Sequence, residues 1–154
     1  MNIVVCVKHV PDAQSERTFR ESDSTIDREG VDGLLSELDE YAVEEALKLV
    51  EAAGEGEVTV LTVGPAGAAD AIKKALQMGA HAGIHVSDEA IHGSDAAATS
   101  LVLAEAVKKA TGGNPELVLT GMASTDGVMG VVPAMLAERL GLPQVTFASE
   151  RTIA

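Results

Sequence analysis

The sequence predicts an α/β fold of three layers: a doubly wound, mainly parallel sheet with helices on both faces. Short apolar runs rich in β-branched residues alternate along the chain with longer segments of helical periodicity, which is typical of parallel sheets. At 154 residues, of which 46% are hydrophobic, the chain is long enough for one domain with a substantial core. Right-handed crossovers make 3-2-1-4-5 the most economical strand order. We therefore expect a single α/β domain over residues 1–154.

The N-terminal third is predicted to hold one buried strand, a long polar loop and one helix. The strand is Asn2–Val7, a run dominated by β-branched residues. His9–Gly33 is polar and contains Pro and Gly, so we interpret it as a loop, with a candidate hairpin around Ser24–Glu29. Ser36 is a suitable N-cap for an amphipathic helix over about Glu37–Ala53.

The rest of the chain continues the alternation of strands and helices. Gly79 and Gly141 are expected to end the second and last helices, and either Ser94 or Asp95 to cap the third. The predicted elements, in chain order, are a second strand at Glu57–Val63, a helix at Ala66–Met78, a third strand at Ala82–Val86, a helix to about Ala110, a fourth strand at Glu116–Leu119, a helix to Leu140 and a fifth strand at Gln144–Phe147.

The segment between the fourth strand and the last helix carries the clearest functional signal. Thr120–Met135 reads TGMASTDGVMGVVPAM, a Gly- and Ser-containing turn that opens into a helix. Small residues let the backbone approach a ligand, and the free N–H groups at a helix start favour an anion. Pro133 fits the first helical turn, where its missing N–H costs nothing. These features predict a phosphate-binding loop, and therefore a nucleotide site.

The predicted topology places this loop where a ligand is expected. In the order 3-2-1-4-5 the topology reverses between the first and fourth strands, and ligands bind beyond the carboxyl ends of the strands at that point. Those two ends carry Cys6–His9 and Thr120–Gly121. The loop sequence and the topology thus predict a ligand site at the same place independently.

Composition argues against several classes of function. A net charge of −13 opposes binding to nucleic acid, and an aromatic content of 2% opposes a stacking platform for bases. Cys6 is the single cysteine, so neither an internal disulfide nor a cysteine metal site is expected. His81 and His85 straddle a helix end and a strand and lack a third ligand, so no metal site is expected. No signal-peptide pattern or bilayer-length apolar run occurs, and the expected location is the cytoplasm.

Several segments closely resemble the β subunit of electron transfer flavoprotein, in the same order and register through essentially the whole chain. This set is more specific than a single glycine-rich loop. The matching segments are Val5–Asp12 (VCVKHVPD), Asp39–Leu47 (DEYAVEEAL), Gly64–Val86 (GPAGAADAIKKALQMGAHAGIHV) and Leu140–Ser149 (LGLPQVTFAS).

The resemblance implies a HUP-like fold of the adenine-nucleotide-binding class, with AMP bound in a structural role. It also implies an α subunit that carries most contacts to FAD, and exchange of electrons with dehydrogenases or a quinone oxidoreductase. In the branch of the family that bifurcates electrons, a second FAD takes the place of AMP. The chain would then be an electron-carrier subunit without catalytic residues of its own.

The resemblance further implies which residues contact the nucleotide. They lie at the ends of the first two strands, at the entry to the first helix and in the phosphate loop. They are Cys6, Val7, Lys8, Ser36, Leu38, Asp39, Val63, Ala123, Ser124, Thr125, Asp126, Gly127, Met129, Gly130, Val131, Val132 and Pro133.

Two departures from the family pattern bear on these expectations. The family usually shows an Asp-rich run and then Gln-Thr-Gly in the loop, whereas this chain keeps Asp126 and has Val131-Val132-Pro133. This pattern is closer to the Fix-type branch, so AMP and FAD both stay open as ligands. The C-terminal extension that family members use to embrace the partner is absent from the 154 residues, which weakens the expectation of partner binding most.

Two other functions fit the same fold class less well. An ATP-binding module like a universal stress protein usually has Gly-x2-Gly-x9-Gly; Gly127 and Gly130 begin that spacing, but Leu140 stands at the third glycine position. Adenylate-forming or nucleotidyl-transfer enzymes need a His-x-Gly-His or Ser-Gly-Gly-x-Asp-Ser loop after the first strand, and Val10-Pro11-Asp12 offers neither. No nucleophile elbow occurs either.

Overall fold

A parallel sheet of four strands lies at the centre of the part of the chain that the structure describes. The computed structural model describes residues 1–148 and Thr152. The sheet contains β1 (Asn2–Cys6), β4 (Glu57–Val63), β5 (Ala82–Val86) and β6 (Leu117–Thr120) in the order β5-β4-β1-β6. All three neighbouring pairs are parallel, and Cys6 pairs with Leu61 on one side and Thr120 on the other. The predicted fold class and the predicted 3-2-1-4 part of the strand order are confirmed.

Helices cover both faces of the sheet, which gives three layers. They are α1 (Glu37–Ala53), α2 (Ala69–Met78), α3 (Ala96–Ala110) and α4 (Val132–Leu140), with short 3-10 turns at Ala66–Ala68 and Glu89–Ile91. The core forms two clusters because successive side chains of a strand point to opposite faces. Ile3 and Val5 pack with α1 and α2, whereas Val4 and Cys6 pack with α3 and α4.

The predicted long loop after β1 contains regular structure at both of its ends. β2 (His9–Pro11) and β3 (Gly33–Leu35) pair in an antiparallel fashion and close the base of the segment between them. Interpreting His9–Gly33 as loop throughout was therefore wrong at its ends, because three-residue strands carry too few residues for a periodic signal. The structure has an antiparallel bridge between Phe19 and Ile26, so the chain reverses before the expected hairpin at Ser24–Glu29 and overlaps it only in part.

The predicted fifth strand is wrong, because Gln144–Phe147 forms no strand. Val145 and Phe147 are 88% and 86% exposed, and Phe147 has a φ of 55°, outside the β region. An apolar alternating run satisfied the sequence criterion, but no neighbouring strand pairs with it among the described residues.

Most helix boundaries follow the predicted stop and start signals, but the helix predicted at Ala66–Met78 is α-helical only from Ala69, after a 3-10 turn. Gly141 ends α4 in the left-handed conformation, and the carboxylate of Asp95, not Ser94, caps α3 by accepting the N–H of Ala98 at 2.8 Å. Ser36 occupies the N-cap position of α1, but its hydroxyl makes no capping hydrogen bond. None of the helices in the described part of the chain combines the length and hydrophobicity that crossing a bilayer requires.

Candidate nucleotide site

Asp39, in the first turn of α1, joins the ends of the two central strands. Its Oδ2 accepts the backbone N–H of Lys8 at 2.8 Å, and its Oδ1 accepts that of Gly121 at 3.2 Å. Lys8 lies just beyond β1 and Gly121 directly follows β6, and these strands are parallel neighbours. Burial raises the pKa of Asp39 to about 6, although the two N–H donors and the charge of Lys8 oppose that shift. The carboxyl ends of both strands are thus fixed at the reversal point of the topology.

Gly121 allows this close approach because it has no side chain. A Cβ at this position would collide with Oδ1 of Asp39 and would lie 3.0 Å from the carbonyl oxygen of Leu38. The strand end can therefore reach the start of α1 only with glycine at this position.

A buried carboxylate in the phosphate loop holds two cations from different parts of the chain. Asp126 Oδ1 lies 2.9 Å from Nζ of Lys8, and its Oδ2 lies 2.6 Å from Nη2 of Arg28. The Asp126 side chain has no exposed surface, whereas those of Lys8 and Arg28 are 41% and 30% exposed. Nζ of Lys8 also donates to Oγ of Ser124 at 3.5 Å. The loop is thereby attached both to the end of β1 and to the segment between β2 and β3.

The electrostatics of Asp126 follow from this pairing. Burial by itself would raise the pKa of its carboxyl group. The positive charge of Lys8, followed by side-chain hydrogen bonds from Ser124 and Arg28, outweighs burial and holds that pKa well below its ordinary value. Asp126 is therefore ionised throughout the physiological range and holds the side chains of Lys8 and Arg28 in place.

The backbone after Asp126 turns sharply before α4 begins. Val128 and Gly130 have φ of 54° and 64°, in the left-handed region. A β-branched residue is a genuine outlier there, and such outliers concentrate at ligand-binding segments. No side chain caps α4, and Pro133 lies in its first turn. First-turn N–H groups therefore lack a side-chain oxygen acceptor and are suited to an anion.

Comparison with known proteins identifies the family. The family model described as electron transfer flavoprotein domain matches residues 23–154. The chain belongs to the electron transfer flavoprotein family. The resemblance to its β subunit is confirmed, since the chain is 52% identical over 149 residues to the electron transfer flavoprotein subunit beta of Mycobacterium leprae, covering 94% of this chain and 55% of the relative.

Relatives from other organisms match over a similar extent. Protein FixA of Rhizobium meliloti is 43% identical over 152 residues, which cover 97% of this chain and 51% of that protein. The electron transfer flavoprotein subunit beta of Clostridium acetobutylicum is 39% identical over 150 residues, 97% of this chain and 56% of the relative. The chain thus spans about half the length of these curated relatives.

The structure brings together some of the residues that membership in the electron transfer flavoprotein family implies. Lys8, Asp39, Ser124 and Asp126 are connected by direct contacts or through Lys8. Gly127 donates its N–H to Asp126 at 2.7 Å, within the same loop. Ala123 and Thr125 belong to this turn, and Gly130, Val131, Val132 and Pro133 lead from it into α4.

Cys6, Val7 and Val63, at or just beyond the ends of β1 and β4, have side chains that pack in the hydrophobic core. The Cys6 side chain packs in the cluster on the α3 and α4 face, and burial, followed by the charge of Asp39, raises the pKa of its thiol to about 12. Val7 packs on the opposite face, and Val63 is partly buried at the end of β4. These side chains are therefore core residues.

Several residues of the candidate site have hydroxyls without a hydrogen-bond partner or exposed apolar side chains among the described residues. The hydroxyls of Ser36 and Thr125 are buried without a hydrogen-bond partner among the described residues. Unpaired buried hydroxyls are uncommon and costly. Met129 and Met122, within the loop, are 64% and 58% exposed. Leu38 is half-buried next to Gly121.

Sequence reasoning missed Arg28 as a member of this site. It lies in a segment interpreted as polar loop, 98 residues before its partner Asp126, and no local pattern marks it. Gly121 was noted at a strand end but not as a site residue; a glycine directly after a strand was the available signal.

The histidines and acidic residues that the structure describes are hydrogen-bonded or dispersed rather than grouped. Among the residues that the structure describes, no three His, Cys, Asp or Glu side chains are grouped so as to bind a metal ion. Nδ1 of His81 instead accepts the N–H of Val58 at 3.1 Å, and Nε2 of His85 lies 3.0 Å from the carbonyl oxygen of Gly64.

Proposed function

We propose that this chain is the nucleotide-binding part of an electron transfer flavoprotein β subunit. It binds AMP, or a second FAD at the same site, and pairs with an α subunit that carries the electron-transferring FAD. The assembled protein carries electrons between dehydrogenases and an acceptor such as a quinone oxidoreductase. The role of this chain is to help hold and orient the flavin rather than to act as an acid, base or nucleophile.

The observation that carries the proposal is the convergence of four features at one edge of the sheet. The ends of β1 and β6 are tied by Asp39, the glycine-containing loop follows β6, α4 begins without a side-chain cap, and two partly exposed cations lie on the loop. A parallel sheet of this topology binds ligands at that point. Names of the matching relatives support the link to electron transfer.

The residues present fit an adenine nucleotide. A phosphate can accept N–H groups at the start of α4 together with hydrogen bonds from the cations. The unpaired hydroxyls of Ser36 and Thr125 can pair with polar atoms of the ligand. When FAD is bound, the flavin supplies the one- and two-electron chemistry, and the residues named here hold and orient it.

The proposal is tested by identifying what the purified chain retains. Small molecules released on denaturation are identified by mass spectrometry, and AMP or FAD is expected at near-stoichiometric amount. Gly121→Ala should lose at least about tenfold in affinity for the same nucleotide, because the added Cβ displaces Asp39 from the strand ends. Gly67→Ala is the matched control, since a Cβ there meets nothing within 4 Å.

Two outcomes would contradict the proposal. The first is a folded chain that releases no adenine nucleotide and binds neither AMP nor FAD in titrations. The second is release of ATP, which would favour a stand-alone module like a universal stress protein. Coelution of the chain with a flavin-coloured α subunit in size-exclusion chromatography tests the partner separately.

A further inference from the structure

We propose that Arg28, together with Lys8, binds the phosphoryl group of the nucleotide, so that the segment between β2 and β3 supplies a ligand-binding residue. This inference rests on the proposed function and deepens it. It assigns a role to a residue outside the phosphate loop and outside the strand ends. The ligand chemistry is a phosphoryl group of an adenine nucleotide, either the monoester of AMP or the diphosphate of FAD.

The two cations, and not the carboxylate between them, face the solvent. The Asp126 side chain is fully buried, while Lys8 and Arg28 remain 41% and 30% exposed. Two positive charges share one carboxylate, so the exposed side of this cluster is positive within a chain whose net charge is −13. An incoming anion meets the cations first.

Both cations have N–H groups left for a ligand. Nζ of Lys8 has three N–H groups, and its acceptors are Asp126 and Ser124. The guanidinium of Arg28 has five; Nη2 donates to Asp126 and Nη1 to the carbonyl oxygen of His9 at 3.5 Å. The planar fork of an arginine matches two oxygens of a phosphate, which gives strong charge-assisted hydrogen bonds.

The segment that carries Arg28 contacts the loops that follow both outer strands of the described sheet. Arg28 reaches the loop after β6, and Asp23 of the same segment lies 3.2 Å from Nε2 of His92, in the turn after β5. Since β5 and β6 are the outer strands, the segment crosses the carboxyl edge of the sheet where the ligand is expected. The β2–β3 pairing fixes the base of the segment. A pre-positioned cation loses less entropy when it binds a ligand.

Asp39 does not compete for the same anion site. It is 6% exposed, and each of its carboxylate oxygens accepts a backbone N–H. Its charge weakens the local positive potential but presents no free acceptor surface toward the cations.

The test compares binding of AMP, FAD and adenosine to the nucleotide-free full chain and to Arg28→Gln, by isothermal titration calorimetry. Losing one charge-assisted contact should weaken binding of the phosphorylated ligand by about 10- to 100-fold. Adenosine, which has no phosphate, should bind the unchanged chain and the variant equally. Arg28→Lys keeps the charge and should recover part of the loss. The salt dependence of binding should also decrease in Arg28→Gln.

Arg20→Gln is the matched control. Arg20 lies in the same segment, is 33% exposed and pairs with Glu29 at 3.3 Å, but it makes no ion pair with the phosphate loop. Binding by this variant should equal that of the unchanged chain.

Each alternative result has a distinct meaning. Equal affinity of Arg28→Gln and the unchanged chain for the phosphorylated ligand would overturn this inference and leave the proposed function intact. An equal loss for adenosine and the nucleotide would also overturn it, because Arg28 would then act only on the fold. If the unchanged chain binds neither AMP nor FAD, the proposed function fails and this inference with it. If Arg28→Gln weakens binding of AMP alone or of FAD alone, the inference is supported, and the affected ligand is the source of the phosphoryl group.

Discussion

Among the individual residues, Asp39 has an ionisation that can be tested directly through the stability of the chain. Burial raises its pKa in the folded chain to about 6, whereas an unfolded chain has a value near 3.9. The folded state therefore holds the proton more tightly than the unfolded state. By linkage, the contribution of Asp39 to stability is largest below about pH 4 and falls as the pH rises to about 6.

Replacing Asp39 should remove this dependence. Between pH 4 and pH 6.5, the free energy of unfolding of the unchanged chain should fall by roughly 2–3 kcal/mol relative to that of Asp39→Asn. Urea unfolding of both proteins at intervals of half a pH unit measures it, and groups that titrate alike in both proteins cancel in the difference. Parallel stability curves would show that Asp39 ionises as in the unfolded chain.

Individual contacts of the site were beyond sequence reasoning even where the residues themselves were expected. Lys8, Asp39 and Asp126 were all implied as nucleotide contacts, but nothing in the sequence indicated that Asp39 ties two strand ends or that Asp126 pairs with Arg28. Such contacts join residues 31 to 98 positions apart, and only the packed sheet brings them together. The family resemblance identified positions, and the fold determines their partners.

At the scale of the element, the phosphate loop holds Val128 in a conformation that a β-branched residue avoids. Its φ of 54° lies in the left-handed region, and its side chain is 67% exposed, so little burial offsets the unfavourable conformation. Gly130, two residues later, also has a left-handed φ but without that cost.

Relieving this conformation should stabilise the chain. Val128→Gly is expected to raise the free energy of unfolding by about 1 kcal/mol, because the relief of left-handed strain exceeds the extra backbone entropy of glycine. Val128→Ala is the control, since it keeps a Cβ and should recover less. Thermal unfolding followed by circular dichroism gives both values. A less stable glycine variant would mean that the loop does not require a positive φ at this position.

The boundaries of long elements were predictable, whereas short strands were not. Glu37–Ala53, Glu57–Val63 and Ala82–Val86 match the structure because their periodicity extends over several residues and clear signals bound them. β2 and β3 were missed because three residues carry no period. The expected strand at Gln144–Phe147 had a suitable composition but lacks a partner, and pairing is a property of the sheet rather than of the segment.

At the scale of the whole molecule, β1 couples the two core clusters. Val4 is 2% exposed on the face of α3 and α4, and Val5 is fully buried on the face of α1 and α2. A strand that supplies side chains to both clusters makes it difficult for one face to unfold without the other.

We therefore expect a single cooperative transition that substitutions on either face affect alike. Val4→Ala and Val5→Ala should each lower the free energy of unfolding by about 2 kcal/mol, through lost burial and a residual cavity. Val145→Ala, at a position 88% exposed, should change it by less than about 0.5 kcal/mol. Urea unfolding followed by two probes measures this, and separate transitions for the two faces would refute the coupling.

The open side of β6 has a consequence for handling the isolated chain. β6 pairs with β1 on one side and with no other strand among the described residues, so the backbone donors and acceptors on its other side have no strand partner there. An unguarded sheet border of this kind is a template for strands from other copies, and four residues with the sequence LVLT offer no charge or proline to discourage them. At high concentration, self-association should begin at this border, and a charged residue introduced there would protect the chain in storage.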